Sequence, residues 1–294
     1  MENSSGVSFL DKYLGKKEAT GVDRRKFLKG TGLAGIGIAA SSLLGSALVS
    51  SVPALAQLPG PGSSVTLSAN DLAILNFALN LEYLEAEFYT KATTGKTISQ
   101  IGIGVSGVGK EGPTLGGAKI NFGSNADFIG TTAQQIASDE QTHVKLLRDL
   151  LGSQAIAKPE INLDALGLAS TIPDFLAEAR AFEDVGVSAY GGAAPLIQSK
   201  SVLQIAARIA LTEGEHTGNL RLLVAIFNVS TMMLDSQDIL PPPSGSQLFS
   251  NTAGLTIIRT TSEVLAIVFA NKAQGTKSGG FFPMGVNGTI NTVS

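Results

Sequence analysis

The 294-residue chain contains two histidines, and both occupy the same local setting. Glu140–Gln141–Thr142–His143 and Glu213–Gly214–Glu215–His216 each place a carboxylate three residues before an imidazole. On an α-helix, at about 100° per residue, two such side chains leave one face roughly 60° apart. Each pair can grip one metal ion and reach toward another. Two further segments repeat each other, Glu82 standing seven residues before Tyr89 and Glu183 seven before Tyr190. Seven residues make nearly two turns, so each Glu–Tyr pair also shares a face. The chain order is Glu…Tyr, Glu-x-x-His, Glu…Tyr, Glu-x-x-His, an internal two-fold repeat.

Charge explains what such a set would be for. Burying even one unpaired carboxylate costs several kcal/mol or more, so four pointing into one core need compensation. Two divalent cations would cancel them. Carboxylate and imidazole ligands suit iron or manganese, and a chain without cysteine offers neither a thiolate site nor a disulfide. The candidate metal ligands are Glu82, Glu140, His143, Glu183, Glu213 and His216. Glu85, one turn after Glu82 on nearly the same face, is the alternative to Glu82. Glu87, about 150° round from Glu82, reads as solvated, and Glu215 as a surface charge. Tyr89 and Tyr190 read either as core aromatics or as donors that each orient a ligand Glu. Gly186 and Gly214 lie inside helices at some cost in propensity, which close packing or space near metals would explain.

Helices must hold these residues. Ser68–Ala69–Asn70–Asp71 offers cap residues before an apolar-periodic stretch to about Thr93. A second helix is expected from about Asn125 to Leu151, a third from Ile172–Pro173 to about Tyr190, and a fourth from Lys200 to Asn228. Between the first two, residues 94–125 are Gly-rich with β-prone pieces such as Ile101–Val105, read as a long excursion carrying a small hairpin. Pro241–Pro242–Pro243 closes the bundle. A short fifth helix is expected from Ser262 to about Lys272. The tail Gly279–Gly280–Phe281–Phe282–Pro283 is expected to be irregular, with both rings packed on the body.

Leu81–Glu82–Tyr83–Leu84–Glu85–Ala86–Glu87–Phe88–Tyr89, its counterpart Phe182 to Tyr190, the two Glu-x-x-His motifs and the tail from Gly279 to Gly288 carry a family resemblance. From about residue 66 onward the chain resembles the ferritin-like superfamily, and within it the family that includes plant desiccation-related proteins and Tat-exported bacterial members. The resemblance implies an all-α, ferritin-like four-helix bundle with one Glu from each of two helices and Glu-x-x-His from each of the others. Two complete Glu-x-x-His motifs are more similar to rubrerythrin or manganese catalase than to ferritin itself. The long loop at 94–125 departs from compact ferritins.

The first fifth of the chain reads as an address. Arg24–Arg25–Lys26–Phe27–Leu28–Lys29 precedes an apolar, Gly- and Ala-rich run, and Ala54–Leu55–Ala56 then offers cleavage after Ala56. The paired arginines resemble a twin-arginine (Tat) signal, with Asp23 where Ser or Thr is common. The competing reading is a retained membrane anchor. Export implies the periplasm or cell envelope, with the Tat machinery as partner and metal loaded before transit. The expected division is a signal at 1–56, a linker at 57–67, the bundle at 68–230 and a C-terminal extension packing on it at 231–294. Without the signal the chain is more acidic and has no basic cluster, which gives no support for nucleic-acid binding.

These residues lead to an exported protein holding two iron or manganese ions and handling O₂ or H₂O₂, as a peroxidase, catalase or oxidase. The alternatives are a metal-sequestering or stress-protective protein active in desiccation or oxidative stress, and a relic whose ligands no longer assemble. Spacing does not read outer faces, so homo-oligomerisation stays open.

Overall fold

The computed structural model describes residues 67–294 with the exception of Leu168. The expected signal at 1–56, with Arg24, Arg25 and Ala56, and most of the linker lie outside the described residues. Among the described residues, no helix is long and apolar enough to cross a membrane.

Four long helices form the bundle: α1 (Ala69–Thr94), α2 (Thr131–Leu151), α3 (Ile172–Ala193) and α4 (Lys200–Ile226). Their ends follow from local chemistry. The Ser68 side chain accepts from the Asp71 amide at 3.0 Å, and Gly95, at φ +78°, closes α1 in the left-handed conformation. Thr171 and Asp174 form a capping box at the start of α3, with Pro173 in its first turn. The Ser199 side chain caps α4. The second helix departs from its expected start only in form, since residues 126–130 make a wider i→i+5 turn before α2 proper.

α1 packs on α2, α3 packs on α4, and the two pairs meet through α1 and α3. α1 is buried around most of its circumference, including Leu75, Leu79, Tyr83 and Ala86. Such a helix sits at the centre of a fold and not on its edge. A cluster of rings fills one end of the bundle, with Phe88 stacked on Phe175 at 5.5 Å and edge-on to Phe182 at 4.8 Å.

The expected hairpin in residues 94–125 does not form. The Ile101–Val105 run is broken by Gly102, whose φ of +90° is incompatible with an extended strand. Ile98 and Ile103 plug the core instead. The β-pairing joins two long connections: β1 (Thr114–Leu115) runs parallel to β2 (Ile161–Asn162), with a bridge between Val108 and Ile156. At Gly107 a Cβ would lie 2.2 Å from the Ala155 carbonyl, so this close approach requires glycine.

Beyond α4, a short antiparallel pair, β3 (Asn251–Thr252) and β4 (Leu255–Thr256), leads into α5 (Thr261–Val268). α5 stops before the expected Lys272 because Ala270 turns left-handed at φ +52°. α5 packs on α3, and the tail rings Phe281 and Phe282 are buried, Phe281 against Phe182 at 5.0 Å. Asn287 fastens this tail. Its side-chain amide donates to the Lys110 and Ala157 carbonyls, and its backbone amide donates to Asn80 of α1.

Apart from Glu183, α3 carries two buried carboxylates in opposite circumstances. Asp184 lies between Arg180 (2.8 Å) and Arg221 of α4 (2.6 Å), both fully buried, and these arginines reach Asp238 and the Ile239 carbonyl. Removing one partner of such a network typically costs about 3–5 kcal/mol. Glu178, by contrast, has an oxygen with no hydrogen-bond partner. Burial, with the charges of Asp164 and Asp174, pushes its carboxyl up to about 8. The folded chain thus holds this proton where the unfolded chain has lost it, from about pH 4.3 upward. Stability falls as pH rises through that window, and the full penalty is present above pH 8. Glu178→Gln should therefore raise the melting temperature at pH 9 and leave it nearly unchanged at pH 4.5. Equal shifts at both pH values would contradict this origin.

Candidate metal centre

The six expected ligands converge in the middle of the bundle. Glu82 comes from α1, Glu140 and His143 from α2, Glu183 from α3, and Glu213 and His216 from α4, all buried. They form two overlapping groups that could each hold a metal ion: Glu82, Glu140, His143 and Glu213, then Glu140, Glu183, Glu213 and His216. Within each group, one potential ligand atom per residue lies within 4.8 Å of all the others. Glu140 and Glu213 belong to both. Exchanging Glu82 with Glu183, Glu140 with Glu213 and His143 with His216 turns one group into the other, which is the sequence repeat in three dimensions.

Hydrogen bonding alone does not account for this packing. His143 Nδ1 lies 3.2 Å from Glu82, 3.3 Å from Glu140 and 3.3 Å from Glu213. One ring nitrogen carries at most one proton and cannot serve three carboxylates. His216 Nδ1 likewise faces Glu140 at 3.2 Å and Glu183 at 3.1 Å. Its other nitrogen, Nε2, lies 3.2 Å from Asp139 Oδ2. A neutral ring donating to Asp139 turns the Nδ1 lone pair toward the carboxylates, an arrangement a cation between them would convert from repulsive to bonding. Oxygens of Glu82, Glu140, Glu183 and Glu213 are buried without a hydrogen-bond partner, as metal ligation would require. The donor set fits a bound metal ion.

The electrostatics point the same way. Burial raises the Glu140 carboxyl to about 7, with the Glu82 charge adding to it and hydrogen bonds from both histidines opposing. Burial and neighbouring carboxylates hold Glu85 and Glu213 well above the usual range. At Glu82 the burial penalty is outweighed by His143, and its pKa falls. Burial works against the charged form of both imidazoles, yet the surrounding carboxylates overcome it and raise both. The two imidazoles can offset the five buried carboxyls only because Glu85 and Glu213 are held protonated, and a bound cation would favour their ionised forms.

Glu82, and not Glu85, belongs to the ligand groups. Glu85 is buried beside them, its Oε1 facing Gly186 next to Glu213 Oε2. Gly186 provides the space: a Cβ there would lie 2.7 Å from Glu213 Oε2 and 2.9 Å from Glu85 Oε1. Gly214 faces open space, and Glu215 is exposed as expected. Glu87 is not solvated. It is fully buried, accepting from the Ile98 amide at 3.2 Å and lying 3.7 Å from Lys158 Nζ. The excursion and the α2–α3 connection cover that face of α1, which helical spacing alone cannot show.

The tyrosines act across helices. Tyr190 of α3 donates to Glu82 Oε1 of α1 at 2.5 Å, and burial with the Glu82 charge keeps its phenol protonated far above the usual pKa. Tyr89 of α1 is fully buried beside Glu183 of α3, but its hydroxyl does not reach hydrogen-bonding geometry. Tyr190 makes the orienting bond in this arrangement. Asp139 is the residue that sequence reasoning missed. It precedes Glu140, and only its meeting with α4 reveals its role.

A family model described as a ferritin-like domain matches residues 70–225, from the start of α1 to the end of α4. The chain belongs to the ferritin-like domain family. Over 174 residues this ferritin-like protein is 26% identical to the "Desiccation-related protein PCC13-62" of Craterostigma plantagineum, covering 53% of either chain. It thus spans about half the length of that curated relative.

Gly186 and Gly214 give this ferritin-like centre an internal control. Alanine in place of a mid-helix glycine adds about 0.5–1 kcal/mol of helix stability where space allows. Gly214→Ala should gain that stability and keep its metal affinity. Gly186→Ala should push away the flexible ends of Glu85 and Glu213, lowering metal affinity at least tenfold while the metal-free fold survives. Titration of the reconstituted variants with Mn²⁺, alongside thermal melts, checks both. Equal metal affinity in the two variants would contradict the role given to Gly186.

Proposed function

We propose that this chain is an exported ferritin-like protein that holds two iron or manganese ions and acts in oxygen or peroxide redox chemistry. The observation that carries the reading is the crowding of carboxylate oxygens around His143 Nδ1, more than its single proton can serve. Bound there, iron or manganese would supply one-electron chemistry toward O₂ or H₂O₂. Glu82, Glu140, His143 and Glu213 would hold one ion and Glu140, Glu183, Glu213 and His216 the other, so Glu140 and Glu213 would serve both. Tyr190 keeps its proton and holds Glu82 in place. Asp139 fixes the tautomer of His216, leaving Nδ1 available as a ligand. The burial of all six residues excludes bulk water, which strengthens every electrostatic interaction inside.

Peroxidase, catalase and oxidase activities all fit this arrangement. Oxygen-electrode and peroxide-consumption assays on metal-loaded protein should show turnover that His143→Ala and His216→Ala abolish. A loaded protein that consumes neither oxidant would refute the redox reading. It would favour the second one, metal sequestration or protection under desiccation or oxidative stress. The name of the Craterostigma plantagineum relative supports that reading.

Export to the periplasm or cell envelope through the Tat machinery rests on Arg24–Arg25, the apolar run and the site after Ala56. Replacing both arginines by lysine should leave the protein in the cytoplasmic fraction with its signal uncut. Unchanged export would contradict a twin-arginine route.

A further inference from the structure

Beside the candidate centre, α5 and the segment 232–237 roof the seam between α1 and α3 and enclose a cavity of about 560 Å³. Small-molecule sites typically span roughly 300–1,000 Å³ and are mostly apolar with a few placed polar groups. The walls here fit that description: Leu81 and Leu84 from α1, Phe182 and Val185 from α3, Ile267 from α5 and Phe281 from the tail.

The inner end of the cavity is formed by Glu85 and Gly186, and both also border the ligand cluster. At Gly186 a hydrogen stands where any other residue would put a Cβ against Glu213 Oε2. Gly186 thus stands between the cavity, which it lines, and a carboxylate that both ligand groups share. The outer end carries Met232 and Met233, 67% and 60% exposed, whose thioethers can adapt to an apolar guest.

The charges at the cavity select the guest's polarity. Asp235 is committed to Arg259, and Glu263 is committed to the α5 cap and Gln237. Among the lining residues the cation is Lys272, exposed at the rim. Inside there is no buried cation to receive an anionic head group, and the floor is a carboxyl among carboxylates. An anion placed there would lose its hydration without compensation. An alcohol or aldehyde would lose far less and could hydrogen-bond to Glu85.

We propose that this cavity binds a neutral, elongated aliphatic molecule, in class a medium-chain alcohol or aldehyde, with its polar end at Glu85. Its position at the metal centre rests on the function proposed above, but its binding can be measured without that function. Calorimetric titration of the full chain, metal-free and metal-loaded, with 1-decanol and with decanoate at pH 8 tests it. One molecule of 1-decanol should bind saturably, at least tenfold more tightly than decanoate. Ala181→Phe on α3 and Ala266→Phe on α5 fill the cavity from two helices, at positions that are not fully buried. Each should weaken 1-decanol binding at least tenfold at unchanged metal content and melting temperature.

Absence of saturable 1-decanol binding in a chain that loads metal would overturn the proposal and leave the metal centre standing. Binding undiminished in both phenylalanine variants, or decanoate binding as tightly as 1-decanol, would also overturn it. Binding of 1-decanol by a chain that takes up no metal would support the cavity and refute the metal centre.

Discussion

Carboxylates removed from water around two imidazoles set the terms for this fold. Glu82, Glu85, Glu140, Glu183 and Glu213 are buried together in the bundle, and each ion so placed carries a desolvation penalty of several kcal/mol. Two histidines supply at most two positive charges, through nitrogens that face several oxygens at once. Such a centre is relieved either by protons, which Glu85 and Glu213 hold, or by a cation, and carboxylate with imidazole is a donor set that suits one. The remaining architecture can be read as what keeps these groups from turning outward.

That support is not symmetric, although the ligands are. Tyr190 bonds Glu82 across the α1–α3 seam, while Tyr89 approaches Glu183 without bonding it. Asp139 orients His216. The two halves of the repeat therefore offer their candidate ions unequal surroundings. The cavity breaks the symmetry further, opening beside Gly186 and Glu85 and roofed by a C-terminal segment that belongs to neither half of the repeat. A distant charge network, Arg180, Asp184, Arg221 and Asp238, ties that segment to α3 and α4.

What could be read from the sequence was what depends on local spacing. Glu-x-x-His and Glu…Tyr at helical intervals revealed the four helices and the six converging residues, because periodicity within one helix survives any tertiary arrangement. Local signals such as the cap at Ser68 and the Ile172–Pro173 start fixed helix ends closely for the same reason. Properties that arise only between elements were out of reach. Glu87 looked solvated because Lys158, which approaches it, lies on a connection seventy-one residues later. β1 pairs with β2 from another connection, where local β-propensity suggested a hairpin. Asp139 carries no signal of its own in the sequence, because only α4 brings His216 to it. Tyr190 shares a face with Glu183 yet serves Glu82.

The central claim is that the buried carboxylates and imidazoles are a metal pair's ligands. Metal content of the purified protein, measured by mass spectrometry before and after reconstitution with iron or manganese, tests it most directly. The account predicts about two ions per chain, in keeping with the two overlapping ligand groups. A protein that carries no metal and takes up none on reconstitution, while remaining folded, would contradict it.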